Sequence, residues 1–177
     1  MIFLNRSNRN FHVFYYMYYG FKSEGTLRKY HLDGINEFRF LPVGDSDTEA
    51  EFYLNGYSKL KNYFHLWDLE VEELEFMYRT IAAVLLLGQI EFFGHPAAAK
   101  NPTMVNKVAT LLAVDPPSLA KALTSGHVVI RGEAVDKEFD EAEACDARDA
   151  LARGLYTRFV DWIINLLNVK LTFGRLV

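Results

Sequence analysis

The sequence predicts a mostly α-helical fold that contains one small β-hairpin. Half of the 177 residues are hydrophobic, which is enough to build a sizeable core. Apolar residues recur at spacings of three and four along most of the chain, as they do on the buried side of a helix. The exception is a pair of short extended runs, 127–130 and 133–135, around Arg131 and Gly132. Because no long linker interrupts the pattern, we expect one domain over residues 1–177.

The longest periodic segment covers residues 140–168, and we expect the rest of the chain to pack around it. At 1.5 Å per residue, this segment would form a helix about 40 Å long. One side of that helix carries apolar residues at helical spacing, namely Ala147, Leu151, Leu155, Phe159, Trp162, Ile163 and Leu166. A stripe of this length has to be buried, so the upstream helices are its natural partners.

Upstream, residues 8–20 read NRNFHVFYYMYYG, a run that is aromatic on every side and ends in Gly20. A glycine suits the left-handed position after a helix, whereas the tyrosines favour a strand. The run therefore predicts burial on all sides more firmly than it predicts one secondary structure. Residues 48–67 have the spacing of an amphipathic helix. Asp68 then offers a cap for a further helix, which Gly88 closes.

Residues 94–102, GHPAAAKNP, contain two prolines and no periodicity, which predicts a surface loop. Helical spacing resumes over residues 103–114. Asp115 stands directly before a proline, a specific start signal for the next helix. Gly126 would end that helix, and the predicted hairpin follows.

Charge and composition exclude several classes of function. A formal net charge of -4 and a pI near 5.7 leave no basic stripe for phosphates, so we expect no nucleic-acid partner. The longest apolar run, residues 81–87, is far shorter than the ~20 residues of a membrane span. A single cysteine, Cys145, excludes an intrachain disulfide and fits a reducing compartment. Residues 1–14 lack the layout of a signal peptide, so the predicted location is the cytoplasm.

The sequence offers no catalytic or metal-binding constellation. It has no glycine loop of a phosphate site, and its five histidines are too scattered to share a metal ion. Cys145 lacks a basic neighbour that would activate it, so packing explains it better than nucleophilic chemistry does. Glu70, Glu72 and Glu73 could act as paired catalytic carboxylates, but the positive end of a helix dipole accounts for them more simply. We therefore predict no catalytic residue, no metal ligand and no cofactor in this chain.

Four segments, in the same order, resemble the motor domain of the myosins. Residues 8–15 (NRNFHVFY) are similar to the RNFHxFY segment of that family, and residues 78–92 (YRTIAAVLLLGQIEF) to its helix ending in LAAILHLGN. Residues 111–131 (LLAVDPPSLAKALTSGHVVIR) resemble its LLGVD and ALT phrases. Residues 148–168 (RDALARGLYTRFVDWIINLLN) resemble its DALAK, LYxRLF and W-plus-IN phrases. The residues of these segments resemble those of unconventional myosins more than those of muscle myosins. One departure is Gln89, which stands where the family usually has Asn.

The resemblance implies that the chain is a fragment covering most of the upper 50 kDa subdomain of a larger P-loop motor fold. In that family, the phosphate-binding loop and first switch precede the RNFH segment, and the second switch follows the IN segment. The complete motor would be an actin-activated ATPase that uses Mg-ATP, whereas a chain without those elements would be non-catalytic alone. Whether the chain counts as an enzyme stays open. The implied partners are filamentous actin and the remainder of the motor domain, in a cytoskeleton-associated protein.

The resemblance also implies actin contacts. Residues 127–135 match the family's cardiomyopathy loop, which touches actin, and residues 94–104 match its loop 4. The implied actin-binding residues are His95, Lys100, His127, Val128, Val129, Ile130, Arg131, Gly132 and Glu133. Arg131 is a candidate partner for the acidic surface of actin. Glu133 lies 16 residues before Asp149, at a position that is acidic or phosphorylatable in the family. Because a carboxylate carries its negative charge permanently, we predict no need for phosphorylation there.

Two alternatives remain at this stage. From the sequence alone, the hairpin could be a solvated turn between two helices. The chain as a whole could be a freestanding helical interaction module that keeps a myosin-like core and binds a protein other than actin.

Overall fold

The computed structural model describes residues 11–35, 37–41, 47–130 and 133–173, with the backbone alone at 47–48, 129–130 and 173. The elements in chain order are α1 (His12–Ser23), a short 3-10 helix (Leu27–Tyr30), α2 (Asp47–Leu66), α3 (Val71–Leu87), β1 (Phe92–Phe93), β2 (Ala98–Ala99), α4 (Pro102–Leu112), α5 (Pro116–Thr124), β3 (Ser125–Ile130), β4 (Glu133–Glu138) and α6 (Glu141–Phe173). The predicted mostly α-helical fold is confirmed. Two antiparallel two-stranded sheets accompany the helices, β1 with β2 and β3 with β4, where the sequence predicted one.

The central helix of the fold is α3. Its second half, residues 81–87, is fully buried, and the helix packs against α1, the 3-10 helix, α4 and α6. The prediction that the chain is organised around residues 140–168 is therefore wrong. That segment forms α6, the longest helix that the structure describes. However, α6 is apolar on one side and charged on the other, so it buries only its apolar side. The run at 81–87 is apolar all round, which suits the middle of the bundle.

Helix α1 continues through Gly20, so the prediction that this glycine ends the helix is wrong. Gly20 serves the packing of α1 on α2 instead. A Cβ atom on Gly20 would stand 2.5 Å from the ring of Tyr57, and one on Gly56 would stand 2.2 Å from the ring of Tyr16. Each helix thus offers a glycine to a tyrosine of the other, which brings the two backbones close together.

Two of the predicted helix starts have different outcomes. Asp68 is not the cap of α3, because its backbone is left-handed at a φ of 50° and the helix begins after Glu70. The N–H of Glu70 donates to the Glu73 carboxylate at 2.8 Å, which is half of a capping box. Asp115 does cap α5, since its Oδ2 accepts from the N–H of Ser118 at 2.9 Å.

The acidic residues at the start of α3 are therefore part of a helix terminus, as the dipole rule predicted. Among the helices that the structure describes, none has the length and apolar character needed to cross a bilayer.

Candidate functional site

The strongest candidate site is the hairpin formed by β3 and β4. The register pairs Ser125 with Glu138 at the base and Ile130 with Glu133 at the far end. The two predicted strands are confirmed, and both are longer than the sequence indicated. Gly126 lies inside β3 and does not end α5, because the helix already stops at Thr124. Arg131 and Gly132, which were predicted to contact actin, lie outside the described residues.

The two faces of this hairpin differ in chemistry. On one face, Nδ1 of His127 lies 2.7 Å from Oδ1 of Asp136, its partner across the strands. On the other face, Val128 and Val135 form a cross-strand pair whose side chains are 38% and 42% exposed. All six β4 side chains are exposed, including that of Glu133. Since neither described face is covered by the helices, the hairpin presents both a polar and an apolar surface.

The base of the hairpin is fixed by Phe139 and by the start of α6. The N–H of Phe139 donates to the carbonyl of Thr124 at 2.9 Å, and its ring lies 2.7 Å from where a Cβ on Gly126 would stand. Lys137 forms an ion pair with Glu143. The hydrogen bond from Lys137, followed by one from the N–H of Asp140, lowers the pKa of the Glu143 carboxyl.

The second candidate segment is the turn between β1 and β2. Residues 94–102 were predicted to be a surface loop, and most of their side chains are exposed, but the backbone also forms a small hairpin. The side chain of Asn101 closes it, because Nδ2 donates to the carbonyl of Gln89 at 2.7 Å and Oδ1 accepts from the N–H of Glu91 at 3.2 Å. The candidate residues His95 and Lys100 are both exposed on this hairpin.

The turn of the first hairpin meets the base of the second. The N–H of Ala97 donates to the carbonyl of Phe139 at 2.8 Å, so the turn of the first hairpin is bonded to the end of the second. A polar cleft of about 370 Å³ lies between them, lined by Pro96, Ala97, Lys121, Thr124, Ser125, Asp136, Lys137 and Glu138. Within the described residues, no hydrogen bond or ion pair links His95 or Lys100 to the β3–β4 hairpin. The structure therefore brings the two segments together through their backbones rather than through the predicted side chains.

A buried ion pair that the sequence interpretation missed positions the first hairpin. Arg148 and Asp149 on α6 are both buried, and Arg148 Nε donates to Asp149 Oδ1 at 2.8 Å. Arg148 Nη1 donates to the carbonyl of Ile90, just before β1, at 2.8 Å. Arg39 approaches the other carboxylate oxygen at 3.4 Å. The sequence feature that could have revealed this pair is two adjacent charged residues beside the apolar stripe of a long helix. Charged residues are almost never fully buried there unless they are paired.

The described residues do not fit a magnesium site, since they contain no group of three His, Cys, Asp or Glu side chains able to hold a metal ion. Cys145 is half-buried near the start of α6.

Comparison with known proteins gives a consistent family. The family model described as Myosin head (motor domain) matches residues 1–175. The chain is 33% identical to Myosin-IIIa of Homo sapiens over 172 residues, which cover 90% of this chain and 11% of that protein. It is 32% identical to the Drosophila melanogaster protein Neither inactivation nor afterpotential protein C, covering 97% of this chain and 12% of that protein. For Unconventional myosin ID of the same organism, the identity is 32%, with 93% of this chain and 16% of that protein covered. The chain thus spans well under a fifth of the length of these relatives.

Proposed function

Because this chain belongs to the myosin head family, we propose that it is part of an actin-based motor and that its two joined hairpins contact filamentous actin. The predicted membership of the myosin family is confirmed by the match over residues 1–175. The contact with actin, and an association of the protein with the cytoskeleton, are the proposal.

The observation that carries the proposal is the β3–β4 hairpin, which is fixed at its base and whose described side chains at 127–128 and 133–138 are exposed. The Phe139 bonds to Thr124 and to Ala97 fix its base. Val128 and Val135 remain exposed as a cross-strand pair, and an exposed apolar pair on a fixed element suits a protein contact. An element that is already ordered also loses little conformational entropy when it binds.

Glu133 begins β4, at the far end of the hairpin, and its side chain is exposed. We propose that this carboxylate supplies a permanent negative charge to the contact, so that no phosphate is needed there. Charges at the rim of an interface mainly tune the rate of encounter and its dependence on salt.

We further propose that the complete motor is an actin-activated ATPase that uses Mg-ATP. When bound, Mg-ATP supplies the phosphoryl group that is transferred to water. In this proposal, the hairpins of this chain contribute contact with the filament. No step of hydrolysis is assigned to them, since the described residues include no metal-binding group.

Co-sedimentation of the 177-residue chain with filamentous actin, at low and at physiological salt, tests the proposal. We expect salt-sensitive pelleting that Glu133→Arg weakens about two- to fivefold, the range of an exposed ion pair. Val128→Asp should weaken it further, because a charge would replace an apolar contact. Glu51→Arg and Val169→Asp, at exposed positions on α2 and α6, are the matched controls and should pellet like the unmodified chain.

Circular dichroism of each variant must first show an unchanged helix content. If the folded chain does not pellet at either salt concentration, the proposal of actin contact is wrong. That result would favour the freestanding interaction module as the function of the chain.

A further inference from the structure

A second surface of the molecule, separate from the hairpins, has the character of a binding site. A groove of about 700 Å³ runs between the first half of α3, the end of α4 and the middle of α6. We call it the α3–α4 groove. Its apolar lining residues are Val71, Phe76, Leu111, Leu112, Ala113 and Leu155. Its polar lining residues are Glu72, Glu75, Arg79 and Thr80.

The apolar wall of the groove is open to solvent. Val71 is 76% exposed and Phe76 is 48% exposed, although both lie on a well-packed helix. The ring of Phe76 is held edge-on against Trp162 of α6, with ring centroids 4.6 Å apart. Covering such surface is favourable, because it removes apolar area from water. The groove thus offers a fixed apolar wall that a partner would gain free energy by covering.

Most polar groups along the groove are already engaged. Arg79 donates from Nε to the carbonyl of Leu111 at 3.0 Å and from Nη2 to that of Thr110 at 2.7 Å, so its positive charge lies at the negative end of α4. Glu75 is paired with Lys29 at 2.5 Å and accepts from the hydroxyl of Tyr30 at 3.0 Å.

Glu72 differs from its neighbours, since it has no hydrogen bond or ion pair with any residue that the structure describes. It stands on the rim beside Val71, in an acidic first turn. Among the charged side chains that line the groove, Glu72 is therefore the one without a described partner, an exposed carboxylate next to an apolar wall.

We propose that the α3–α4 groove binds a polypeptide segment that presents a large apolar side chain next to a Lys or Arg. The apolar side chain would lie against Phe76 and Leu155, and the cation would pair with Glu72. The groove is open-sided, which suits a segment laid along a helix, whereas small-molecule sites enclose most of their ligand. Its volume is several times that of one aliphatic side chain, so two neighbouring side chains fit it together.

A designed helical peptide tests this proposal, with Leu at spacings of four and Lys between them. A second peptide, with Glu in place of each Lys, is its charge-reversed control. The chain contains two tryptophans, so Trp67→Phe leaves Trp162, which touches Phe76, as the only one. We expect the Lys peptide to change the emission of Trp162 saturably. The Glu peptide should bind at least about tenfold more weakly, because it meets Glu72 with a like charge.

Variants locate the binding to the groove, with calorimetry as a second readout because Phe76→Ala changes the surroundings of Trp162. Phe76→Ala should weaken binding of the Lys peptide about tenfold, as expected for an aromatic anchor. Glu72→Lys should weaken it about fivefold. The matched controls are Phe93→Ala on β1, where the ring is 50% exposed, and Glu138→Lys on β4. Neither should change the affinity.

Several outcomes would overturn the proposal. Equal affinity for the two peptides would show that Glu72 does not pair with the ligand. An equal loss of affinity in Phe93→Ala and Phe76→Ala would show that the peptide does not bind in the groove. Self-association that Phe76→Ala abolishes, measured by sedimentation of the free chain, would assign the groove to a second copy. Binding of phenethylamine as tight as that of the Lys peptide would assign it to a small organic cation.

Discussion

The ring of Tyr57 on α2 lies directly over Gly20 on α1, 2.5 Å from the point that a Cβ on Gly20 would occupy. The ring cannot easily move away, because Tyr57 is buried and its hydroxyl donates to Glu24 at 3.0 Å. Lys61 binds the other oxygen of Glu24 at 2.7 Å and lies 5.6 Å from the centre of the Tyr57 ring. The contact of α1 with α2 is therefore held both by the glycine and by this hydrogen-bonded network.

We predict that Gly20→Ala lowers the free energy of unfolding by about 1–3 kcal/mol, because the added methyl group overpacks the buried ring. This is opposite to the effect of helix propensity, which favours Ala over Gly by up to about 1 kcal/mol. The control is Gly154→Ala in α6, where no described atom beyond the adjoining residues and the local helix backbone lies within 4 Å of the new Cβ. That variant should raise stability by about 0.5–1 kcal/mol. Urea unfolding followed by circular dichroism measures both, and a stabilised Gly20→Ala would contradict the packing described.

We predict that Arg148→Met lowers the free energy of unfolding by about 3–5 kcal/mol, since it leaves the buried carboxylate of Asp149 without its closest cation. It also removes the donor to the carbonyl of Ile90. The matched control is Arg158→Met, ten residues further along α6, where the side chain is 86% exposed. That change should cost less than about 0.5 kcal/mol. Similar urea midpoints for the two variants would exclude Arg148 as a buried structural cation.

We predict that the chain loses stability between about pH 10 and pH 12. Burial raises the pKa of Tyr156 from 10.0 to about 12, and burial also raises the pKa of Tyr57. Below pH 10, both the folded and the unfolded states keep the phenol protons, so the stability is not yet reduced by tyrosine ionisation. Above it, the unfolded state releases its protons first and is favoured. Tyr156→Phe should reduce the loss over this interval, whereas Tyr63→Phe, at an exposed ring, should leave it as it is. Urea unfolding at pH 9 and pH 11 measures the loss of unfolding free energy for each variant. An equal loss in the two variants would contradict the role given to Tyr156.

Much of the helical fold could be predicted from local patterns. Spacings of three and four gave α2 to within one residue at each end, and the Asp–Pro pair gave the start of α5. Such signals are local, because a helix satisfies its backbone hydrogen bonds within one segment. The role of Gly20 could not be predicted in this way. A glycine that ends a helix and a glycine that receives a distant ring look the same in sequence, and only the fold brings Tyr57 to it.

For the candidate site, too, the sequence predicted some local elements but not the contacts between them. The strands of the β3–β4 hairpin follow from two short extended runs on either side of Arg131 and Gly132, but β1 and β2 have two residues each, too few for any period. The bond from Ala97 to Phe139 joins two backbones and leaves no pattern of side chains to recognise. The central position of α3 depends on which helices surround it, which periodicity within a single segment does not reveal.

The last prediction concerns the base of the hairpin. Gly126→Ala places a methyl group 2.7 Å from the end of the Phe139 ring, which is half-buried and has some room to move. We therefore expect a loss of only about 1 kcal/mol, at the low end of the range for overpacking. Amide hydrogen exchange should rise in β3 and β4 while the helices keep their protection. Adding Phe139→Leu, which shortens the clashing side chain, should restore part of that protection, because the two changes are in contact and are not additive. Protection that falls further in the double variant would mean that the ring supports the hairpin in some other way than by lying on Gly126.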